Sequence, residues 1–503
     1  MKAREIKAKG NQGSLFSNLS QYLTLGDQDS YNVTEKKQKD EIVMKCLESC
    51  NIDGVLVSTI KLNDKSFCDL VKEFIEYLRK SYEHMNTFIV LLEKLTDILV
   101  FNLKRLALVW SMFIQLIKDN LNEKHIFIAE RSVICLLRLF TVDPEAFDEG
   151  IMSKYLFDSL LLLKNLSQEL FNSLAESIVC GLKVILKNRM HGLMKNKDLW
   201  NLIYLILSMS CKHNKANKYS LECTMYIMEE SDEIFQFEYE FGECVDLLLG
   251  FIAVAFNENS INSSQKQSSL DTGISSLNLL FKVHLKLCQS YKDDHGWSVF
   301  FLPVLCGLGQ QVYHPSKEIR QTSITLLQRA LLLKEFQEFH GKRLDIFDKI
   351  LFPLLIDLTK PEVFSLNPSG ISETKMRAYA MVCKIFLQFL SNCETEKDLE
   401  GTWKSLLDIT ELYIKSDLSF LKESISESIT NVLLVMFNMN LLGLHESNSI
   451  SQFTWQKLNS FMPSLQKEFE YRTTTKVNVP EATQEITSPV VSPSSGSNTI
   501  TDV

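Results

Sequence analysis

With 503 residues, 45% of them hydrophobic, and a formal net charge of −9, the chain can build a large core but lacks the dense lysine and arginine of nucleic-acid-binding proteins. Its longest apolar run, residues 247–256, is about half the length that a bilayer requires, so no membrane span is predicted. The first ten residues carry charge without an apolar core, so they are not expected to be a secretory signal.

The chain opens with a polar segment and then becomes helical. Residues 1–40 are predicted to be linker-like, with one short apolar interruption, GSLFSNLSQYL, at residues 13–23. Helical periodicity begins near residue 41, and only one proline, Pro144, precedes Pro303. Because proline breaks helix interiors, most of this stretch can run as helix after helix.

Apolar residues in this stretch recur at helical spacing. An i, i+3, i+4, i+7 pattern predicts one buried face on each helix. In ERSVICLLRLF the predicted face holds Val133, Leu136, Leu137 and Phe140, and in FNSLAESIVCGLKVIL it holds Leu174, Ile178, Leu182 and Ile185. A single helix cannot bury such a face alone, so neighbouring hairpins are expected to stack on it.

Two later segments share an arrangement. HPSKEIRQTSITLLQRALL predicts a helix opened by Pro315, with the pair Ile319–Arg320 near its start. Its predicted buried face consists of Ile319, Ser323, Leu326, Leu327 and Ala330. ETKMRAYAMVCKIFLQFL places Met376–Arg377 similarly, and its predicted face consists of Met376, Ala380, Cys383 and Leu387. Each helix follows a segment with an internal proline, Pro303 or Pro353, which predicts a bent first helix before a straight second one.

These features predict an all-α, HEAT- or armadillo-like α-solenoid of degenerate helical hairpins. We expect two helical subarrays, residues 41–256 and 274–471, the second of them HEAT-like, joined by a polar loop at 257–273. Residues 472–503 are rich in Ser, Thr and Pro, and they are predicted to form a disordered tail because they hold too little apolar surface to order themselves.

No catalytic residue, cofactor site or metal site is predicted. The twelve cysteines are scattered inside helical patterns, which favours reduced, buried thiols over metal ligands, even for Cys46 and Cys50 in CLESC. In KDDHGW, Asp293, Asp294 and His295 are adjacent in a turn, and a solvated loop is the preferred interpretation because adjacent residues rarely converge on one ion. The acidic run EESDEIFQFEYEFGE is interpreted as a loop and helix start rather than a strand-like edge or a partner-binding strip.

A basic cluster is the first candidate for contact with an anionic membrane. It lies in KVILKNRMHGLMKNKDLW and consists of Lys183, Lys187, Arg189, Lys195 and Lys197. Near an anionic surface each such residue contributes at most about 1 kcal/mol. The competing interpretation is that these are helix-end residues that interact with the helix dipole.

Several segments spread over residues 13–471, taken together and in order, resemble one family. The segments are GSLFSNLSQYL, CLESCNIDGVLVSTIKLNDKSFCDLVKEFI, ERSVICLLRLF, SKEIRQTSITLLQRALL, LFPLL, ETKMRAYAMVCKIFLQFL and FTWQKLNSFMPSLQKEF. They are similar to the region beyond the catalytic domain of large Arf guanine-nucleotide exchange factors, in the Golgi brefeldin-A-resistance class that includes the plant GNOM and yeast Gea proteins.

The resemblance implies the non-catalytic, regulatory and membrane-targeting region of such a factor, without a cofactor. It implies a cytoplasmic protein, peripheral at Golgi membranes, with partners in the Arf machinery and in other regions of the exchange factor. Exchange activity is not implied for this chain, because the family's catalytic Sec-seven domain carries a glutamate loop resembling FRLPGEAQ and no LPGE occurs here. The opening residues resemble an internal linker.

Two other classes of function compete with this interpretation. An independent HEAT-type adaptor or transport receptor would share the fold, since fold does not fix function. An importin-like receptor is expected to show regular repeats and a groove-lining ladder of Trp and Asn, and the five tryptophans of this chain are too dispersed for that. An enzyme is the third class, and no constellation of residues supports it.

Overall fold

A computed structural model describes residues 52–477, apart from 123–124, 142–148, 214, 231–232, 256–262, 292–293, 338–342, 367–369, 391–395, 416–418 and 445–447. Every regular element in these residues is helical, and none of them forms a strand. The predicted all-α fold is therefore confirmed. The predicted linker at 1–40 and the Cys46–Cys50 pair lie outside the described residues.

The helices fall into two compact units, with the boundary between Thr374 and Lys375. The first unit contains α1 (Ile52–Ser58), α2 (Asp64–Lys80), α3 (Met85–Phe101), α4 (Trp110–Asn122), α5 (Ile126–Arg138), α6 (Glu149–Lys164), α7 (Gln168–Lys195), α8 (Lys197–Ser210), α9 (Asn217–Met225), α10 (Glu238–Val254), α11 (Ser263–Ser290), α12 (Leu302–Gln310), α13 (Lys317–Leu331), α14 (Lys334–Gln337), α15 (Arg343–Ile346), α16 (Phe352–Asp357) and α17 (Pro361–Leu366). Helix α18 (Ile371–Leu390) begins in the first unit and continues in the second, which also holds α19 (Glu396–Lys415), α20 (Ser419–Asn438), α21 (Ser449–Phe461) and α22 (Leu465–Val477).

The first unit is a stack of helical hairpins. From α2 to α13, each even-numbered helix packs against the odd-numbered helix that follows it. The odd-numbered helices α3 to α13 also pack on one another in succession and form one row, here called the second-helix row. The even-numbered helices form the first-helix row; its junction between α4 and α6 places the Trp110 and Tyr155 rings 4.5 Å apart. Contact only between successive hairpins is the HEAT-like arrangement that the sequence predicts.

Three of the four predicted apolar faces are buried as expected. The faces on α5, α7 and α13 are at most 4% exposed at every predicted apolar position, and Ser323 is fully buried with them. The hydroxyl of Ser323 donates to the carbonyl of Leu308 in the partner helix α12. A small polar residue can therefore lie in the stripe because its one donor is satisfied across the hairpin.

The face predicted for α18 is wrong in register: of its four members only Cys383 is buried as predicted, and Leu387 is half-buried. Met376 is half-buried, and Ala380 and Arg377 are exposed. Ala378 and Tyr379 are fully buried instead, and the Tyr379 hydroxyl forms a 2.6 Å hydrogen bond with Thr410. Met376–Arg377 and Ile319–Arg320 are therefore similar in sequence but not in structure, because only Ile319 and Arg320 are buried together.

Both internal prolines follow a widened, π-helical turn. The turn Trp297–Phe301 precedes Pro303 and the turn Phe347–Leu351 precedes Pro353, with a single helical residue between turn and proline in each case. A proline inside an α-helix lacks an N–H and clashes with the carbonyl four residues earlier. The π turn displaces that carbonyl, so each first helix continues through its proline into α12 or α16.

The predicted polar loop at 257–273 is wrong from Ser263 onward, where α11 begins. Its small polar residues are compatible with burial because their hydroxyls bond to their own helix: Thr272 donates to the carbonyl of Ser268, and Ser276 to that of Thr272. A Cβ on Gly273 would lie 2.7 Å from the Cβ of Ala255, so glycine permits close packing of α11 on α10 here. The boundary between the compact units does not coincide with this segment.

The second unit repeats the hairpin pattern. Helix α19 packs on α20 and on α21, and α22 packs on α20 and α21. The backbone of α22 remains helical to Val477, so the first residues of the predicted tail, 472–477, are helical. Residues 478–503 lie outside the described part of the chain.

Glycine at position 181 is required by the packing of α7 on α5. A Cβ there would lie 2.6 Å from Cδ1 and 3.1 Å from Cβ of Leu137. We expect Gly181→Ala to lower the free energy of unfolding of the first unit by about 1–3 kcal/mol, because the added methyl forces two buried helices apart. Hydrogen–deuterium exchange of α5 and α7 amides measures the change.

The matched control for this substitution is Gly242→Ala in α10. No atom lies within 4 Å of a Cβ built at Gly242. Alanine is favoured over glycine inside a helix by about 0.5–1 kcal/mol, so this variant should be slightly more stable than the unaltered chain. Destabilisation by both variants, or by neither, would contradict the assignment of close packing at Gly181.

Candidate interaction surface

Side-chain bridges join every successive pair of helices in the second-helix row. Helices α3 and α5 are joined by the ion pairs Glu93–Arg131 at 3.6 Å and Asp97–Arg138 at 2.8 Å, and α5 and α7 by the Glu130–Ser177 hydrogen bond at 2.7 Å. Helices α7 and α9 are joined by the Glu222–Lys183 ion pair, and the π-helical turn that follows α9 (Tyr226–Glu230) is joined to α11 by the Glu229–Lys282 ion pair at 2.7 Å. Between α11 and α13, Arg329 lies 4.7 Å from the centre of the Phe281 ring. We call this set the bridge ladder.

The bridge ladder fixes register more than it adds stability. Exposed ion pairs contribute about 0–1 kcal/mol each, but each ion pair forms only when its two helices have the correct offset. Burial raises the pKa of the Glu93 carboxyl at the first junction, so this group is partly removed from water. The second-helix row consequently presents alternating and largely balanced charges. Such a surface is better suited to bind a polar protein surface than the phosphates of a nucleic acid.

The predicted basic cluster is divided between two positions on this row. Lys183 is paired with Glu222, and the Lys187 ammonium lies 5.8 Å from the Tyr226 ring centre, so both face α9. Lys195 and Lys197 are exposed on either side of the turn between α7 and α8.

Of the other members of the cluster, Lys197 contacts an aromatic ring and the side chain of Arg189 is not described. The Lys197 ammonium lies 5.0 Å from the Tyr239 ring centre at the start of α10. The side chain of Arg189 lies outside the described part of the chain. Lys187, Lys195 and Lys197 are therefore the exposed cations that remain for an anionic partner, whereas Lys183 is already committed to a carboxylate.

The tryptophans have a role that sequence reasoning missed. Three of them lie in first helices of hairpins, Trp110 in α4, Trp200 in α8 and Trp297 in the π turn before α12, and each donates its indole N–H to a carboxylate one hairpin further along the chain. These bonds are Trp110 to Asp158 at 3.3 Å, Trp200 to Glu243 at 2.8 Å and Trp297 to Asp345 at 3.1 Å. The sequence separations of 48, 43 and 48 residues are a trace of the repeat period that was available in the sequence. These side chains are at most 7% exposed, so they join hairpins and do not line a groove.

Arg320 is a fully buried cation between α13 and the start of α18. Its guanidinium donates to the carbonyls of His314 at 2.9 Å and Pro315 at 2.7 Å, and to the Thr374 hydroxyl at 3.1 Å. Burial lowers the pKa of Arg320. The buried guanidinium is thus stabilised by two carbonyls and a hydroxyl and has no direct contact with a carboxylate among the described residues. Its hydrogen bond to Thr374 connects α13 to the first residues of α18.

His314 reinforces the same junction as a neutral ring. The Ser316 backbone N–H donates to its Nδ1 at 3.1 Å, so its Nε2 carries the proton and donates to the carbonyl of Ile252 at 3.2 Å. Burial lowers the pKa of His314 to about 4, which keeps the ring uncharged at neutral pH. The predicted helix opening is thereby explained: Ser316 caps α13 and Pro315 stands just before the cap.

The described residues contain no group of three or more metal-ligating side chains that would hold an ion. His295 lies 2.6 Å from a carboxylate oxygen of Glu238, in another helix, and Asp293 is outside the described part of the chain. The nine described cysteines are free and most are buried, and burial raises the pKa of the Cys135 and Cys383 thiols to about 12. The predicted burial is thus confirmed for six of these nine thiols, and their reduced state stays a prediction.

The acidic aromatic segment forms a loop and a helix start, as interpreted from its sequence. A short 3-10 turn at Glu233–Gln236 leads into α10. Phe235 and Phe241 point inward and pack on Phe300, with ring centres 6.1 and 5.0 Å away, while Tyr239 is exposed.

Among the described residues, no helix is long and apolar enough to cross a bilayer.

Fold and surface together define the class: an α-helical repeat protein whose successive hairpins are joined by buried tryptophans on one row and by polar bridges on the other. Comparison with known proteins then identifies the relationship. A protein-family model described as "GBF1-like, tetratrico peptide repeat region" matches residues 301–465. These residues include the junction of Arg320.

Two curated relatives point to the same group. The chain is 31% identical over 175 residues to the Caenorhabditis elegans "Golgi-specific brefeldin A-resistance guanine nucleotide exchange factor 1 homolog", a match that covers 34% of this chain and 9% of the relative. It is 24% identical over 463 residues to the Arabidopsis thaliana "ARF guanine-nucleotide exchange factor GNL1", which covers 84% of this chain and 30% of the relative. The predicted resemblance to a region of large Arf exchange factors is thus confirmed, and the chain spans less than a third of either relative.

Solved structures of low similarity also match. A circular tandem repeat protein aligns with 75% of this chain and 91% of its own, at 12% identity and a TM-score of 0.39. Kap121p aligns with 92% of this chain and 51% of its own, at 14% identity and a TM-score of 0.36. At these scores neither structure bears on function.

Proposed function

We propose that this chain is a non-catalytic, regulatory and membrane-targeting scaffold region of an Arf guanine-nucleotide exchange factor that acts in Golgi vesicle-mediated transport. The observation that carries the proposal is the pair of alignments to such factors, one of which runs over 84% of this chain. The geometry supports the proposal, because stacked hairpins leave long surfaces free for partners while each hairpin touches only its neighbours.

In this proposal the scaffold places an exchange domain and does no chemistry itself. Its partners are the Arf machinery and other regions of the exchange factor, and its location is cytoplasmic and peripheral at Golgi membranes. The bridge ladder supports such a role, since each junction of the second-helix row is held in register and a rigid surface loses little entropy when a partner binds.

Nucleotide release from Arf tests the catalytic part of the proposal. The purified chain should leave the release of a fluorescent guanine nucleotide from Arf at its intrinsic rate. An isolated exchange domain and the same domain continuous with this chain should then be compared on anionic vesicles. We expect the continuous protein to be faster only when vesicles are present. Acceleration by the chain alone would contradict the non-catalytic assignment, and equal rates on vesicles would contradict targeting.

The basic cluster gives a sharper test of membrane contact. Replacing Lys187, Lys195 and Lys197 together with glutamate should weaken binding to anionic vesicles by about 10- to 100-fold, since each cation contributes up to about 1 kcal/mol at such a surface. Vesicle co-sedimentation at physiological salt measures the change. Lys183 is left in place because its loss would also break the Glu222 ion pair.

The control has the same charge change elsewhere in the first unit. Lys65, Lys80 and Lys104 are exposed near the amino-terminal end of the described stack. Their replacement with glutamate should leave vesicle binding within about twofold of the unaltered chain if position matters more than net charge. An equal loss in both triple variants would assign the effect to net charge, and it would remove the cluster as a site.

A further inference from the structure

One nitrogen of the Arg320 guanidinium has no hydrogen-bond acceptor among the described residues. Nε donates to Thr374 and Nη1 donates to the carbonyls of His314 and Pro315, whereas Nη2 is buried and has no such partner. The whole side chain is 0% exposed. Buried polar groups in folded proteins are nearly always satisfied by protein, by ordered water or by an ion, and an unpaired charged donor is costly. Nη2 therefore indicates that an acceptor from outside the chain binds at this junction.

Nη2 lies at the amino-terminal end of α18. A Cβ built on Gly370, the residue before α18, would lie 3.5 Å from Nη2 and 3.5 Å from Cδ of Lys317. Gly370 has a φ of +84°, a left-handed conformation that glycine adopts readily. The side chains of Arg320 and Lys317 therefore converge on the residue that precedes α18. These residues and the first turn of α18, up to Thr374, all belong to the first unit.

The first turn of α18 adds backbone donors to this place. The Thr374 N–H donates to the carbonyl of Gly370 at 3.0 Å, which is the first bond of helical spacing at this end. The N–H groups of residues 371–373 therefore have no acceptor within their own helix, and the helix dipole places partial positive charge at the same end. A guanidinium nitrogen and helix N–H groups together form a set of donors that fits an anion.

Two carboxylates of this junction are bonded to other groups. Glu318 accepts from the Ser316 hydroxyl at 2.7 Å. Glu373 accepts from the Lys317 ammonium at 2.9 Å and from the Gln321 amide at 3.2 Å. The donors described above therefore remain for a ligand that has acceptors and carries negative charge.

Burial and nearby charge limit the size and charge of that ligand. Because Nη2 is buried, a phosphate on a lipid or on a partner chain would have to bring its carrier into the junction. A multiply charged oxyanion would also be repelled by Glu318 and Glu373. A single small monovalent ion meets neither obstacle.

We propose that the junction between α13 and the start of α18 binds one small monovalent anion of the chloride type. Nη2 of Arg320 and backbone N–H groups of the first turn of α18 hold the ion. It completes the hydrogen bonding of Arg320 and adds a contact between α13 and residues 371–373. Chloride is then a structural ion of this junction, whichever partner the scaffold serves.

Hydrogen–deuterium exchange of the full chain at constant ionic strength tests the proposal. Replacing gluconate with chloride should slow the exchange of α13 and of residues 371–374 by a factor of 1 + [chloride]/Kd, about tenfold at ten times the Kd, because the ion binds only the folded junction. Amides of α5 and α7 are the internal control and should not change. Equal exchange in both salts, a similar slowing in α5 and α7, or slowing by phosphate and not by chloride would overturn the proposal.

A pair of matched variants locates the ion. Arg320→Lys keeps the positive charge and removes Nη2, so it should abolish the chloride dependence of exchange. Arg329→Lys makes the same change at an exposed arginine of α13 and should retain that dependence. Chloride dependence that survives in Arg320→Lys would refute the assignment of the ion to this junction.

Bromide in crystals of the unaltered chain gives an answer even if Arg320→Lys does not fold. We expect an anomalous difference peak within hydrogen-bonding distance of Nη2. A water at that position without anomalous signal would overturn the proposal. Bromide found at exposed lysines alone would be an adventitious ion only, and it would overturn the proposal as well.

Discussion

Replacing Arg320 with alanine should lower the free energy of unfolding of the first unit by about 2–4 kcal/mol. The substitution removes a fully buried guanidinium and leaves the carbonyls of His314 and Pro315 and the hydroxyl of Thr374 without their donor. Each buried acceptor that loses its partner costs about 1–3 kcal/mol, and part of this is recovered because the buried charge disappears too. The effect is large because three different segments lose contact with one another at once.

Hydrogen–deuterium exchange of α13 and of the first turn of α18 measures this loss locally, which is preferable to a single melting temperature in a chain of two compact units. Arg320→Lys should be nearly as damaging, since an ammonium cannot reproduce the planar fork that reaches three acceptors. Arg329→Ala, on the same helix, is the control: Arg329 is exposed and contacts the Phe281 ring, so its loss should cost about 1 kcal/mol or less. Similar effects of both alanine variants would refute the role given to Arg320.

Replacing Trp297 with alanine should lower the free energy of unfolding by about 3–5 kcal/mol, the usual cost of deleting a buried tryptophan. The side chain is 1% exposed, and its ring centre lies 6.4 Å from that of Phe301 and 6.0 Å from that of Phe336. Its indole N–H also donates to Asp345 in α15, in the next hairpin. The substitution would therefore open a cavity and break the link to the next hairpin together.

Trp297→Phe separates these two contributions. Phenylalanine keeps most of the ring packing and loses only the hydrogen bond, and Asp345 retains the Lys349 ammonium at 2.9 Å, so we expect a cost of about 1–2 kcal/mol. Exchange of α12 and α16 amides reports both variants. The exposed Tyr239 gives the control: Tyr239→Ala should change stability by about 0.5 kcal/mol or less. If Trp297→Phe cost as much as Trp297→Ala, the hydrogen bond would dominate over packing.

Both substitutions test how strongly successive hairpins of the stack are held together. Within the first unit, Trp297 joins the π turn before α12 to α15, and Arg320 joins α13 to Thr374. A scaffold that positions a distant domain depends on such junctions, because a loose junction lets successive hairpins rotate against each other. In the proposed function, variants at these positions should therefore weaken targeting without touching Lys187, Lys195 or Lys197.

The sequence predicted well those helices whose apolar residues alone define the face. The stripes on α5 and α7 are almost purely aliphatic, and they are buried as predicted. On α18 the prediction failed because the helix carries more apolar residues than one stripe holds, and the choice among them depends on the neighbours. Tyr379 is buried through its bond to Thr410, a partner that local periodicity does not reveal.

The failure at 257–273 has a similar origin. Serine, threonine and glutamine favour loops in isolation, because their side chains compete for backbone hydrogen bonds. In α11 the hydroxyls of Thr272 and Ser276 bond to their own helix, and Gly273 allows α10 to approach closely. Tertiary packing therefore outweighed a local preference.

By itself the sequence determined that this protein is α-helical, that its helices must stack and that its repeat region resembles that of large Arf exchange factors, since periodicity and ordered motifs are local properties of the chain. Only the tertiary structure decided which lysines of the basic cluster are exposed, which tryptophans join hairpins and which groups accept hydrogen bonds from the buried Arg320. These outcomes depend on residues about 40 to 55 positions apart that meet only when hairpins stack, and the offset between hairpins is set by packing of whole faces rather than by any one segment.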